Sequence, residues 1–195
     1  ESATFNELTS LTESSEPGIK YFSGAVTYSN IFKLKKKEIR GKDSVILDLG
    51  DVKDLAEVTV NGKNLGVFWN APFKVDITKA VRNGENTIEV KVTTLMGNYI
   101  TTFTDNPVAK RYLHRRNQPL VPAGLIGPVE LYRSHFPYCR RRFAQLHPES
   151  IKSGSDRLFV LPLPLVLSSI IVQFAAAVLP QSLPDVFGLH HKVVH

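Results

Sequence analysis

The chain has 195 residues, of which 43% are hydrophobic, 22% charged and 9% aromatic. That composition excludes collagen-like, disulfide-scaffold and wholly disordered chains and leaves one globular domain, with or without an appendage. The net charge of +6 divides evenly between residues 1–133 and 134–195, which on the longer piece is too dilute to require a nucleic-acid partner.

Cys139 is the lone cysteine, so no internal disulfide forms, and this says little about compartment. Met96 is the lone methionine and Glu1 the first residue. The chain is therefore read as a piece of a longer reading frame, and a missing signal peptide carries no meaning.

Residues 1–17 are polar, with four Glu and no Lys or Arg, and read as a linker or the end of an upstream unit. Pro17-Gly18 marks a turn. Residues 18–133 then read as consecutive strands. Val26, Tyr28, Phe32 and Leu34 share one parity against Ala25, Thr27, Ser29 and Lys33, with Asn30 interrupting the apolar side. Period two over that length predicts a half-buried strand. Val45, Leu47 and Leu49 alternate next, up to Gly50-Asp51. Val58 and Val60 lead into Asn61-Gly62, after which Leu65 and Val67 return. Asn-Gly between apolar runs predicts a hairpin, because a type I′ turn needs positive φ at both central residues. Phe73, Val75 and Ile77 form a further alternating run. Ile88, Val90 and Val92 follow the Asn83-Gly84 turn, and Val129 and Leu131 close the series. Thr78–Val81 is the one short helical turn expected. Leu95 to Gly124, with Pro107, Pro119 and Pro122, reads as a long structureless connection of the kind that often carries function. Short strands at this spacing predict an all-β sandwich or barrel.

Residues 134–195 change character. Arg140-Arg141-Arg142 precedes an uncharged run, Leu158 to Leu183, long enough to span a bilayer. Pro162, Pro164 and Pro180 oppose a helix there, at about 3 kcal/mol each in a helix interior. Three readings stand: a C-terminal membrane anchor, a continuation of the fold, and a non-native tail from a frameshift, read-through or misjoined gene end. The last is preferred, since composition breaks where the β series ends. A membrane contact through Leu158 to Leu183 is disfavoured but stays open.

Several groups recur in order: Gly24-Ala-Val-Thr-Tyr28, Leu47-Asp-Leu-Gly50-Asp-Val52, Ala56-Glu-Val-Thr-Val-Asn-Gly62, Leu65-Gly66, Ala71-Pro-Phe-Lys-Val-Asp-Ile-Thr78, Asn83-Gly-Glu-Asn-Thr-Ile-Glu-Val90 and Gly124-Leu-Ile-Gly-Pro-Val129. As a series over Gly18 to Arg133 they resemble the galactose-binding-like jelly-roll domain of family 2-type glycoside hydrolases. The nearest likeness is to the C-terminal module of bacterial α-L-rhamnosidase-like enzymes. The resemblance implies an all-β jelly-roll sandwich over residues 18–133 with an irregular tail. It also implies that a carboxylate pair belongs to a separate barrel domain upstream, that a structural calcium is possible, and that the location is extracytoplasmic, periplasmic or secreted.

Taken by themselves, these motifs are structural. Gly66 lets the return strand bend or approach a neighbour, and Asp76 or Thr78 caps the turn that follows. The carboxylates Asp48, Asp51, Asp54, Glu57, Asp76, Glu85 and Glu89 read as surface or turn groups rather than the facing pair that glycoside hydrolysis needs. No zinc or EF-hand spacing is present, and no nucleophile motif accompanies His114. A carbohydrate surface is the sharper expectation. Aromatic rings cover the C–H face of a sugar while Arg and Asn bond its hydroxyl rim. Trp69 and Asn70 in one loop, with Asn98, Tyr99, Arg111 and Tyr112 in the long connection, would form it if both loops share one end of the sandwich. Against it stands packing of Trp69 as core or against a catalytic domain, which is the commoner fate. The basic clusters Lys33, Lys35–Lys37 and Arg111–Arg116 read as solvated faces, without a nucleic-acid-binding pattern. The function expected is a non-catalytic, carbohydrate-binding-like accessory module, a C-terminal fragment of a glycoside hydrolase, whose partners are carbohydrate or an upstream catalytic domain. A free-standing carbohydrate-binding module, with or without a membrane tether in the tail, is the alternative. A nucleic-acid-binding domain ranks last.

Overall fold

The computed structural model describes residues 2–39, 43–103, 105–114, 119–134, 162–163 and 170–174. Within them the alternating segments become β2 (Ala25–Leu34), β3 (Ser44–Asp48), β5 (Leu55–Val60), β7 (Lys74–Asp76), β8 (Gly84–Thr93) and β10 (Glu130–Ser134). The remaining strands are β1 (Ser2–Phe5), β4 (Asp51–Lys53), β6 (Lys63–Phe68), β9 (Gly124–Gly127), β11 (Pro162–Leu163) and β12 (Ile170–Phe174). They form a six-stranded sheet in the order β1-β12-β2-β8-β5-β6, a four-stranded sheet β11-β10-β3-β7 and a ribbon β4-β9. All the strand pairs are antiparallel. The architecture is the all-β sandwich that the alternation implies.

One parity of each strand fills the interior. Val26, Tyr28, Val58, Val90 and Val92 from the larger sheet meet Val45, Leu47, Val75 and Leu131 from the smaller one, all buried in a single cluster. The opposite parity of β8 is exposed throughout from Glu85 to Thr93. β3 departs from this pattern. Ile46 is fully buried, yet it lies outside the central cluster, on the other face of its strand. There its cross-strand neighbours are Tyr132 and Asp76.

Asn61 and Gly62 have φ of +51° and +75°, so the β5–β6 hairpin turns with both central residues in the left-handed region, as expected. The Asn61 side chain does more. Its Nδ2 donates to Asn86 Oδ1 and to the Ala80 carbonyl, each at 2.8 Å, and its Oδ1 accepts the Thr87 N–H at 3.0 Å. Asn86 is fully buried in the inward row of β8. It answers with bonds to the backbone of Arg82 and Gly84. The polar residue in the apolar row is thus satisfied. Beyond the hairpin, a register shift between Val58 and Thr59 bulges β6 at Gly66. The bend expected of Gly66 is present, while a Cβ there would meet nothing within 4 Å, so no close approach requires the glycine.

Two readings change. The segment before Pro17 includes Leu11, whose side chain is buried in the core and whose N–H bonds the Ala123 carbonyl at 3.0 Å. Ser10 reinforces that junction by accepting the Ala123 N–H at 3.0 Å. The long connection is not structureless. It holds α2 (Gly97–Ile100) and α3 (Pro107–His114). The first helix, α1 (Pro17–Lys20), occupies the Pro-Gly turn. α3 starts as helices do: Asn106 Oδ1 accepts from the N–H groups of Val108 and Ala109, and Pro107 supplies the first helical residue. Cys139, Arg140-Arg141-Arg142 and all of Leu158 to Leu183 except 162–163 and 170–174 lie outside the described residues. No helix among the described residues is long and apolar enough to cross a membrane.

Candidate functional site

The register of the larger sheet decides which loops share an end. Ala25 lies opposite Thr93, Thr93 opposite Leu55, and Ala56 opposite Phe68. The start of β2, the end of β8, the start of β5 and the end of β6 therefore form one border. Trp69 and Asn70 leave β6 there. The Leu95–Gly124 connection leaves β8 at the same border. Its base is fastened by Thr94, whose N–H donates to the Gly24 carbonyl at 2.9 Å and whose hydroxyl accepts the Gly24 N–H at 3.1 Å.

The six expected carbohydrate contacts separate on inspection. Trp69 is 76% exposed, which corrects the reading of it as core, because nothing in the described chain covers its ring. Asn70 is also exposed. Asn98 is buried, and its amide is used internally. Its Nδ2 donates to the Val121 carbonyl at 2.7 Å, and its Oδ1 accepts the Val121 N–H at 2.9 Å. That paired bond closes the connection at its base. Tyr99 is half-buried, edge-on to Phe103 at 5.0 Å. Arg111 is exposed on α3. Tyr112 lies on α3 with its side chain outside the described residues, and 115–118, including Arg115 and Arg116, lie outside altogether. Trp69, Asn70 and the Asn98–Tyr99 segment thus share an end. Leu95 and Met96, 67% and 60% exposed, stand at that border too. Sequence reasoning passed them over, although two apolar residues just after an alternating strand break its parity and mark a surface.

Five of the seven candidate carboxylates are engaged as structural groups. Asp48 accepts the Gly50 N–H at 3.0 Å and lies 3.2 Å from Lys74. Asp51 pairs with Lys53 at 2.8 Å. Glu57 accepts from Asn64 and lies 3.6 Å from Lys91. Asp76 holds both the N–H and the hydroxyl of Thr78, the cap foreseen for that turn. Glu85 faces Lys33 at 3.9 Å, Glu89 is exposed on β8, and Asp54 sits at a turn with φ +79°. Asp43 pairs with Arg133. No group of three or more His, Cys, Asp and Glu able to hold a metal occurs among the described residues.

Among the described residues two groups have displaced acidity. A hydrogen bond to Tyr132, outweighing partial desolvation and aided by Asp48, raises Lys74 above the usual ammonium value. Its Nζ stands 5.2 Å from the Tyr132 ring centre. Burial pushes the Tyr28 phenol up to about 12, against the lowering effect of the Leu125 N–H that its oxygen accepts. Neither group is paired with a partner that would give it a reaction.

A protein of Formosa agariphila provisionally named a beta-glucuronidase is 47% identical over 94 residues, which is 48% of this chain and 8% of that protein. A rhamnosidase from Novosphingobium sp. PP1Y superposes with a TM-score of 0.57 at 40% identity, over 65% of this chain and 12% of the rhamnosidase. A beta-glucuronidase of Bifidobacterium dentium aligns at 23% identity with a TM-score of 0.47, over 66% of this chain and 24% of that one. The chain thus spans a small part of each relative. A family profile matches residues 12–119, more than half the chain, so it belongs to the glycosyl hydrolase 2 galactose-binding domain-like family.

Proposed function

We propose that this chain is a non-catalytic, carbohydrate-contacting accessory module of a larger glycoside hydrolase of the rhamnosidase-like kind, exported from the cytoplasm with that enzyme. The observation that carries the reading is the contrast between the carboxylates and Trp69. The candidate acids are held in turns and ion pairs or stand alone, so no facing pair is free for glycosidic cleavage. The largest apolar ring in the chain stands open to solvent at the loop end. An exposed Trp with the exposed Asn70 next to it in the chain offers a sugar a flat apolar face and a directed polar group. The 40% identity to part of the Novosphingobium rhamnosidase supports the choice of parent enzyme. Catalysis would then rest with another domain of that polypeptide, whose position this module fixes.

The test is a calorimetric titration of the purified chain with plant and bacterial oligosaccharides, run beside Trp69→Ala, together with a hydrolysis assay on aryl glycosides. Binding that falls at least about fivefold in the variant, with no turnover, supports the reading; a ring contact of about 1 kcal/mol corresponds to that loss. Turnover by the isolated chain, or no binding to any glycan, would sink it.

A further inference from the structure

The larger sheet is closed by a segment remote in sequence from both its neighbours. β1 and β2 are not adjacent; β12 lies between them. On one side Ile171 faces Ser29 and Phe174 faces Val26; on the other Ile170 faces Phe5 and Gln173 faces Ser2. Ile170 and Val172 point into the core at 3% and 0% exposure, while Ile171, of the other parity, is 50% exposed. Phe174 sets its ring edge-on to Phe22 at 4.9 Å. β1 has no other neighbour in the sheet.

We infer that the edge of β2 from Val26 to Ser29 is an acceptor for an extended segment with apolar residues at alternate positions, that Ile170–Phe174 occupies it, and that β12 thereby holds the N-terminal strand on the fold. The other edge of β2 is paired with β8 along its whole length, from Ala25 opposite Thr93 to Leu34 opposite Gly84. Removing β12 therefore leaves a bare row of backbone donors and acceptors on one side only. Main-chain bonds give such an added strand its affinity, and pockets for alternate side chains fix its register. The slot supplies both, the pockets taking Ile170 and Val172. A cavity of about 30 Å³ is bordered by Ile170, Leu8, Tyr28 and Phe32. By contrast, β5, β6 and β8 pair with one another without help from β12. Release of β12 accordingly frees β1 and the outer edge of β2 and spares the rest of the sheet, which is how partial opening divides along supersecondary units.

Hydrogen exchange on the full chain tests this. Val172→Asp, which aims a charge inward, is expected to speed exchange at least about tenfold in residues 2–5 and 25–29 while 55–68 and 84–93 change less than about twofold. Ile171→Asp, on the outer face, is expected to match the parent. Continued protection of 2–5 in Val172→Asp, or equal opening of the whole sheet, overturns the inference. If that variant does not fold, Thr27→Cys with Gln173→Cys in a Cys139→Ser background decides, since residues 27 and 173 are direct partners. Oxidising the pair is expected to slow exchange of residues 2–5 in mild denaturant, and no difference between oxidised and reduced forms overturns it.

Discussion

Raising the pH above 10 removes a proton from the unfolded chain that the folded chain retains at Tyr28. The Tyr28 side chain is 5% exposed, and burial pushes its pKa up from 10.0 to about 12. A raised folded-state pKa means that the stabilisation is complete below about pH 10 and is lost as pH climbs through 12. The sign follows from proton counts: in that window the unfolded state binds fewer protons, so stability falls with rising pH. Two pKa units at about 1.36 kcal/mol each amount to roughly 2–3 kcal/mol. Lys74 is shifted upward as well and acts in the same direction, so the parent protein alone does not isolate Tyr28. Tyr28→Phe does. At pH 8 this variant leaves the buried Leu125 N–H without its acceptor, at a cost of about 1–3 kcal/mol. From pH 9 to pH 12 the parent is expected to lose about 2–3 kcal/mol more than the variant, measured as unfolding free energy from urea titrations at each pH. Parallel pH dependences in the two proteins would refute the burial argument.

Gly124→Ala places a Cβ inside van der Waals contact of the Tyr28 hydroxyl and 3.0 Å from Leu11 Cγ, at a φ of +95°. Strain and overpacking together are expected to cost about 2–5 kcal/mol in urea unfolding, and a loss below about 1 kcal/mol contradicts the fit. Asn86→Ala removes a fully buried amide that bonds Asn61, Arg82 and Gly84. A loss of about 2–4 kcal/mol is expected from the same titration, and less than about 1 kcal/mol would show that water replaces the network. Trp69→Ala, at a side chain 76% exposed, is expected to leave thermal stability within about 0.5 kcal/mol of the parent; a larger drop would return Trp69 to the core. Leu95→Ser with Met96→Ser should leave glycan affinity within about twofold if the Trp69 ring supplies the sugar contact, since aliphatic chains offer no flat face. A loss matching that of Trp69→Ala would make all three one apolar surface.

Legibility in the sequence tracked burial on a regular pleat. Val26, Val58, Val75 and Val92 occupy the interior because period two places them there, and Asn61-Gly62 turns as its chemistry requires. Three features escaped the same reading for physical reasons. Phe5, Leu8 and Leu11 are isolated apolar residues three apart in a polar stretch, without strand alternation, and the core and the Ala123 backbone that take up Leu11 lie far off in sequence. β4 and β9 are too short to show a period. They meet where Gly50 fits against Gly127, a contact in which a Cβ would fall 2.5 Å from backbone atoms. α3 did carry a signal: Asn106 before Pro107 is a capping residue followed by the residue that best opens a helix. The three prolines of the connection and its lack of alternation read instead as absence of structure.

The loop end is a different matter, because the alternation that specifies a sandwich is silent about residues the sandwich does not bury. An indole buries about 150–250 Å² when covered, which at about 25 cal/mol per Å² is roughly 4–6 kcal/mol. Inside the fold that energy would have shown itself as a buried Trp69; the chain leaves the ring exposed instead. Asn98 was expected to touch ligand, yet it turns inward to clamp Val121. The clamp fixes the base of the connection at the border from which Trp69 also departs. Of two residues expected to touch sugar, Asn98 becomes scaffold, while Trp69 is surface and not core, open to a sugar or to a neighbouring domain. Both follow from one constraint. An amide inside the fold must find partners there, whereas an exposed ring carries no such obligation and stays available to whatever the module meets.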